Sequence, residues 1–202
     1  METRQSKIDN FKNLISKVNA CKACERMCYR KKILSENNGN INSKVLFIAE
    51  APGRLGAECT GVPLSGDQTG RNFDYLLKHI EWKRNDIFIT NSVLCNPQDK
   101  DGKNAHPTCR ELKNCNEYLR RTIEIINPEV IVTLGAYALK ALNYIEKHEY
   151  TLKEHVATQQ TWNNKTLFPL YHMSQISMNI YRDMDQQKAD FKTVLQYINT
   201  NS

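Results

Sequence analysis

Apolar positions along the chain follow two rhythms that alternate. Phe11, Leu14, Ile15 and Val18 recur at i, i+3, i+4 and i+7, which predicts an amphipathic N-terminal helix. The polar stretch from Ser35 to Ser43 predicts a loop, and the run from Lys44 to Glu50 a strand. Phe73, Leu76, Leu77 and Ile80 return to helical spacing, with Asp67 or Thr69 as the cap. Residues 86–93 predict a second strand. Thr108 and Glu111 then form a capping box ahead of a helix bearing Leu112, Cys115, Leu119, Ile123 and Ile126. A third strand is predicted from Glu129 to Leu134, a helix from Ala136 to Lys147, and a fourth strand from Thr166 to Tyr171. A last helix carries Phe191, Val194, Leu195 and Ile198.

Short apolar strands between amphipathic helices imply an α/β fold, a parallel sheet covered on both faces. The expected architecture is a three-layer α/β/α sandwich around a four-stranded parallel sheet, in one domain spanning residues 1–202. Ligands of such folds bind beyond the carboxyl ends of the strands. Those ends are Glu50, Asn91, Gly135 and His172.

Composition narrows the setting. Hydrophobic residues make up 40% and charged residues 25%, the balance of a soluble globular protein. No run approaches the roughly 20 apolar residues of a membrane span. The polar start METRQSKIDNFKN lacks the apolar stretch of a secretory signal, so a reducing cytoplasm is expected. There, seven cysteines point to metal ligands or free thiols rather than disulfides. A formal net charge of +6 suits a polyanionic partner or a solvated basic surface. Basic residues gather at Arg26 to Lys32, at Lys83-Arg84 and at Arg120-Arg121.

Five of the eight glycines fall between Ile48 and Gly70, directly after the first strand. Neither ordinary phosphate loop is present there. No G-x-G follows the strand, as a dinucleotide fold needs, and no G-K-[ST] occurs for a P-loop. What remains is Glu50-Ala51-Pro52-Gly53, a carboxylate before a proline-stiffened turn, and then Gly61-Val62-Pro63-Leu64-Ser65-Gly66.

These segments, with Thr90-Asn91-Ser92-Val93-Leu94-Cys95 and Tyr171-His172-Met173-Ser174, resemble the uracil-DNA glycosylase superfamily, most closely its iron–sulfur families four and five. The likeness runs in order from about Cys21 to Met178, four motifs in register with four strand ends. It implies a hydrolase of base excision repair, one that flips uracil out of DNA and cleaves its N-glycosidic bond. The glycines are then expected to let a flipped base and its sugar-phosphate lie against the backbone.

The resemblance also assigns roles. Asn91 would accept from uracil N3–H and donate to O4, a pairing that cytosine reverses. His172 would donate to the uracil oxygen that gains charge, and Glu50 would place water or offset the sugar's positive charge. Pro52, Gly53 and Leu64 would contact the base, and Gly66, Ser174 and Gln175 the DNA. Leu64 stands where the family places a phenylalanine that stacks on uracil, and Met173 replaces the family's proline. A slow enzyme that prefers single strands is expected, acting as a monomer with no specific protein partner implied. The alternative is a relative that binds uracil or single-stranded DNA without efficient cleavage. His79, His106, His148 and His155 match no motif and are expected on the surface.

The likeness pairs Cys21 and Cys24 with Cys95 and a later cysteine around a [4Fe–4S] cluster, which four thiolates hold. Zinc is the alternative occupant of four cysteines. The fourth ligand is Cys109 or Cys115. Helical geometry puts Cys115 nearer the Leu112–Leu119–Ile126 stripe, and the family's ligand precedes a Tyr-Leu pair, so Cys115 is preferred. The cluster would tie an N-terminal helix, about residues 5–32, to the domain. Cys21, Cys24 and Cys28 also continue the helical spacing, as buried core thiols would.

Overall fold

A computed structural model describes residues 4–201. Its centre is a five-stranded sheet in the order β2-β1-β3-β5-β4. Strands β1 (Val45–Ala49), β2 (Phe88–Asn91), β3 (Val130–Leu134) and β5 (Lys165–Leu170) run parallel, and each is buried along most of its length. Strand β4 (Gln160–Trp162) is the addition to the expected four, pairing antiparallel with β5 at one edge. Two of its three residues are polar, so it carries no apolar run to announce it.

Alternating side chains of the sheet feed two cores. On one face Leu46, Ile48, Phe88, Ile131 and Leu167 pack under α1 (Arg4–Asn19), α4 (Cys109–Ile126) and α5 (Ala136–Leu142). On the other, Phe47, Ile89, Val132 and Phe168 meet α3 (Gln68–His79) and α8 (Met184–Asn201). Phe47, Phe73 and Phe191 form an aromatic cluster there, with ring centroids 5.4 to 6.2 Å apart. Contacts of this kind add about 0.5–1.5 kcal/mol each beyond the area they bury.

The caps are local chemistry. Asp67 Oδ1 accepts from Gly70 N at 2.9 Å and starts α3, deciding between the two expected caps. Thr108 and Glu111 close the capping box of α4 as the sequence requires. The N-terminal helix stops at Asn19, not near residue 32. Residues 20–24 leave the helix, and only a 3-10 turn over Glu25–Met27 follows. The expectation that Cys21, Cys24 and Cys28 extend the helical stripe is therefore corrected: Cys21 and Cys24 lie on non-helical backbone. Short helices α2 (Ala57–Thr60), α6 (Leu152–His155) and α7 (Gln175–Ile180) complete the chain.

Candidate active site

The carboxyl ends of the parallel strands open onto a cleft of about 340 Å³. That volume lies within the range of small-ligand sites. Glu50, Pro52, Gly53, Leu64, His172 and Ser174 line it, as the motifs predict. Gly66 and Gln175 are not on its walls. Asn91 ends β2, is only 2% exposed and is not on the cleft's walls either.

Glu50 is fixed through its backbone. Its carbonyl accepts from Ser92 Oγ and from Val93 N, so the end of β2 holds the residue that follows β1. Burial raises its carboxyl above the usual range, and a hydrogen bond and the charge of His106 oppose that rise. His106 Nδ1 lies 2.6 Å from Glu50 Oε1. The imidazole stacks on Tyr137 with centroids 4.5 Å apart and an 11° tilt. His106 is thus correctly expected at the surface, its side chain being 69% exposed, yet it belongs to the cleft wall. Nothing local in the sequence marks it, because its partner lies 56 residues away.

His172 follows β5. Its Nδ1 accepts from Ser174 N at 3.2 Å, which leaves the ring proton on Nε2. Desolvation lowers it to about 4, against the opposing pull of Asp67. At neutral pH the ring is an uncharged donor.

Asn91 Nδ2 is buried and has no hydrogen-bond partner. A donor left so costs roughly 1–3 kcal/mol, and Thr90 Oγ1, Thr133 Oγ1 and Gln187 Oε1 are buried without a partner in the same way. Two other asparagines, which the motifs do not single out, brace the rim. Asn96 Nδ2 donates to Pro52 O at 2.6 Å and to Asn104 Oδ1 at 2.9 Å. Asn104 Oδ1 also accepts from Arg54 N at 2.9 Å.

The glycine-rich loop's own packing also requires two of its glycines. A Cβ on Gly56 would stand 2.4 Å from Asp67 Oδ2. One on Gly70 would meet the Leu64 carbonyl oxygen at 2.7 Å. Leu64 itself is buried at a φ of 50°, a conformation costly for a side chain branched beyond Cβ. Arg84 holds that loop, donating to Pro63 O at 2.9 Å and to Leu64 O, with Asp74 as its ion partner. Ser174 caps α7, accepting from Ser177 N at 3.3 Å, while Gln175 bonds Asn179 at 2.8 Å on the exposed side. Next to them Ile176 lines the cleft with 73% of its surface exposed.

The cysteines sort themselves by place. Cys21, Cys24, Cys95 and Cys115 line one small apolar cavity of about 20 Å³, with Cys28 on its wall. Burial lifts the Cys95 thiol to about 11 and raises Cys24 and Cys115 as well. Leu94 N donates to Cys115 Sγ at 3.4 Å, and Asn114 Nδ2 to Cys24 Sγ at 3.5 Å. Cys109 is elsewhere, exposed, with Lys140 Nζ 3.2 Å from its sulfur. An all-sulfur donor set in an apolar cavity has the chemistry an iron–sulfur cluster requires. Among the described residues, no three metal-binding side chains are already drawn around one ion position.

Comparison with known proteins places this geometry. Residues 36–199 match the family model described as the uracil DNA glycosylase superfamily. A type-4 uracil-DNA glycosylase of Archaeoglobus fulgidus is 28% identical over 194 residues, covering 93% of this chain and 92% of the relative. One from Thermotoga maritima is 31% identical over 185 residues, covering 87% and 92%. A type-5 uracil-DNA glycosylase of Pyrobaculum aerophilum is 31% identical over 117 residues, covering 52% and 50%. With the match spanning both the strand-end cleft and the sheet beneath it, the chain belongs to the uracil-DNA glycosylase superfamily.

Proposed function

We propose that this chain captures uracil flipped from DNA in the strand-end cleft and hydrolyses its N-glycosidic bond. The observation that carries the reading is one cleft lined by both a carboxylate and a neutral imidazole, each just past the end of a parallel strand. In the reaction the bond between C1′ and N1 breaks, and its electron pair leaves with the base. Water adds its oxygen to C1′ and gives up a proton. Glu50 takes that proton and offsets the positive charge that builds on the sugar. His172 Nε2–H donates to the uracil oxygen that becomes negative. A neutral donor suits this step, since it stabilises the anion without already being an ion. Asn91 reads the base, its unpartnered amide supplying the donor for O4.

Several finer features belong to the same reading. Leu64 covers the base with apolar surface but no π-face, so capture is weak and favours single strands, where flipping costs least. Ile176, exposed at the rim, acts as the apolar wedge that fills the gap in the stack. Pro52 and Gly53 contact the base, and Gly66, Ser174 and Gln175 face the DNA backbone. Cys21, Cys24, Cys95 and Cys115 hold a [4Fe–4S] cluster, which would cross-link the N-terminal segment to β2 and α4 and takes no part in bond breaking. The enzyme works as a monomer in the cytoplasm. No helix among the described residues is long and apolar enough to cross a membrane.

The test is direct. Purified protein is incubated with labelled oligonucleotides carrying one uracil, single- or double-stranded, then heated in alkali. Breaks at the uracil are expected, faster on the single strand. Binding without breaks on either substrate would favour the uracil-binding relative.

A further inference from the structure

Glu50 does not stand alone at the base of the cleft. Its Oε1 lies 2.6 Å from His106 Nδ1, and the ring of His106 is stacked at 4.5 Å on Tyr137 of α5. The His106 carbonyl is held as well, accepting from Arg26 Nη2 at 2.9 Å. An imidazole fixed on both its ring face and its backbone is a poor candidate for a chance surface contact. The remaining titratable groups on the cleft are His172 beyond β5 and Asp67 at the cap of α3. Neither hydrogen-bonds the Glu50 carboxylate, so His106 is its one charged or polarising side-chain partner among the described residues.

We propose that His106 is a positioning residue for the reaction: its Nδ1–H locks Oε1 of Glu50, turning Oε2 to the attacking water and keeping the carboxylate ionised. The inference deepens the reading of Glu50 as the group that takes the water's proton, and rests on it. The physical need is clear in the surroundings. Burial alone would push Glu50 toward its protonated form, which cannot accept a proton. A donor aimed at the charged form opposes that push. Tyr137 supplies the flat surface that stops the imidazole from rotating away. His106 touches neither base nor sugar in this scheme; it acts through Glu50.

The experiment is a pH profile of single-turnover uracil release, at saturating and at limiting oligonucleotide, for the full chain and three variants. With His106→Ala the acidic limb should move to higher pH by about one unit, the lower end of what an ionised-form donor contributes. The loss of rate is then largest on the acidic side and shrinks as pH rises, with KM little changed. His106→Gln, which keeps a donor, should bring the limb most of the way back. Because the ring is exposed, thermal melting of both variants should match the parent. A loss by the same factor at every pH, or a profile that does not move, overturns the inference. A change confined to KM does so too, since it would make His106 a DNA contact. Glu50→Gln separates the two levels. If it is inactive while the His106→Ala profile stays put, only the positioning role fails. If it keeps parent activity, the reading of Glu50 fails and this inference falls with it.

Discussion

A histidine kept neutral is useful to a departing anion, because it donates without binding the neutral base too tightly beforehand. Desolvation lowers His172 to about 4, so the ring stays uncharged from pH 5 to pH 8 and protonates only below that window. Glu50 shifts the other way, upward with burial. The acidic limb of activity should therefore belong to Glu50. His172→Ala should cut single-turnover release by about 10²–10³, the usual loss of one preorganised donor, and leave the limb where it was. A limb that moves with this substitution would reassign it to His172. Leu64 is the opposite case, a residue that withholds something. Base–aromatic stacking is worth roughly 1–3 kcal/mol. Leu64→Phe should thus raise uracil release by about ten- to a hundredfold at limiting substrate. The backbone already bears its positive φ with leucine, and Arg84 holds the Leu64 carbonyl. Unchanged or slower release would mean that stacking is not what this position lacks.

At the scale of elements, the two ends of α4 decide what becomes of the sulfurs. Cys109 opens the helix and looks outward to Lys140 and Tyr144, whose hydrogen bonds pull its thiol below the usual range. Cys115 lies almost two turns on and faces the cavity shared with Cys21, Cys24 and Cys95. Protein purified without oxygen should be brown and contain about four irons per chain. Cys115→Ser should lose the colour, and Cys109→Ser should keep it. The reverse pattern would exchange the two ligands, and colourless protein with stoichiometric zinc would replace the cluster altogether. Elements of this length were legible in the sequence because each strand is buried on both faces and each long helix carries a continuous apolar stripe. The same logic explains the omissions. Strand β4 has three residues and only Trp162 buried, and α7 buries nothing, so neither leaves a periodic trace. Glu50, Asn91 and His172 could be located because they stand at or within two residues of strand ends. His106 and Asn104 could not, since they sit in a polar loop whose course is set by contacts with Glu50 and with Pro52 through Asn96.

For the molecule as a whole, a formal charge of +6 overstates what meets DNA, because most of the basic groups that stand out in the sequence are engaged within the fold. Arg120 and Arg121 pair with Glu117 and Glu124 along their own helix. Arg84 is spent on Asp74 and the Leu64 loop, and Arg26 on Glu111. Arg30 reaches Gln98 and Glu58, while Lys31 and Lys32 donate to the carbonyls of Cys59 and Cys28. Arginines tied in this way stiffen the rim of the cleft and the cavity of the cysteines. They supply few phosphate contacts. The long-range field of the net charge survives, since pairing leaves the sum unchanged, and it still draws a polyanion in. Binding to a single strand should therefore weaken with salt, but gently. With a log–log slope of about −0.7 per contact, two to four contacts give a slope between about −1.4 and −2.8. Titration of a fluorescent uracil oligonucleotide from low to physiological salt measures it. A flat response would reduce the net charge to a solubility feature. A slope several times steeper would mean that the internal ion pairs open on DNA, and that the basic segment from Arg26 to Lys32 leaves the cysteine cavity to reach phosphate.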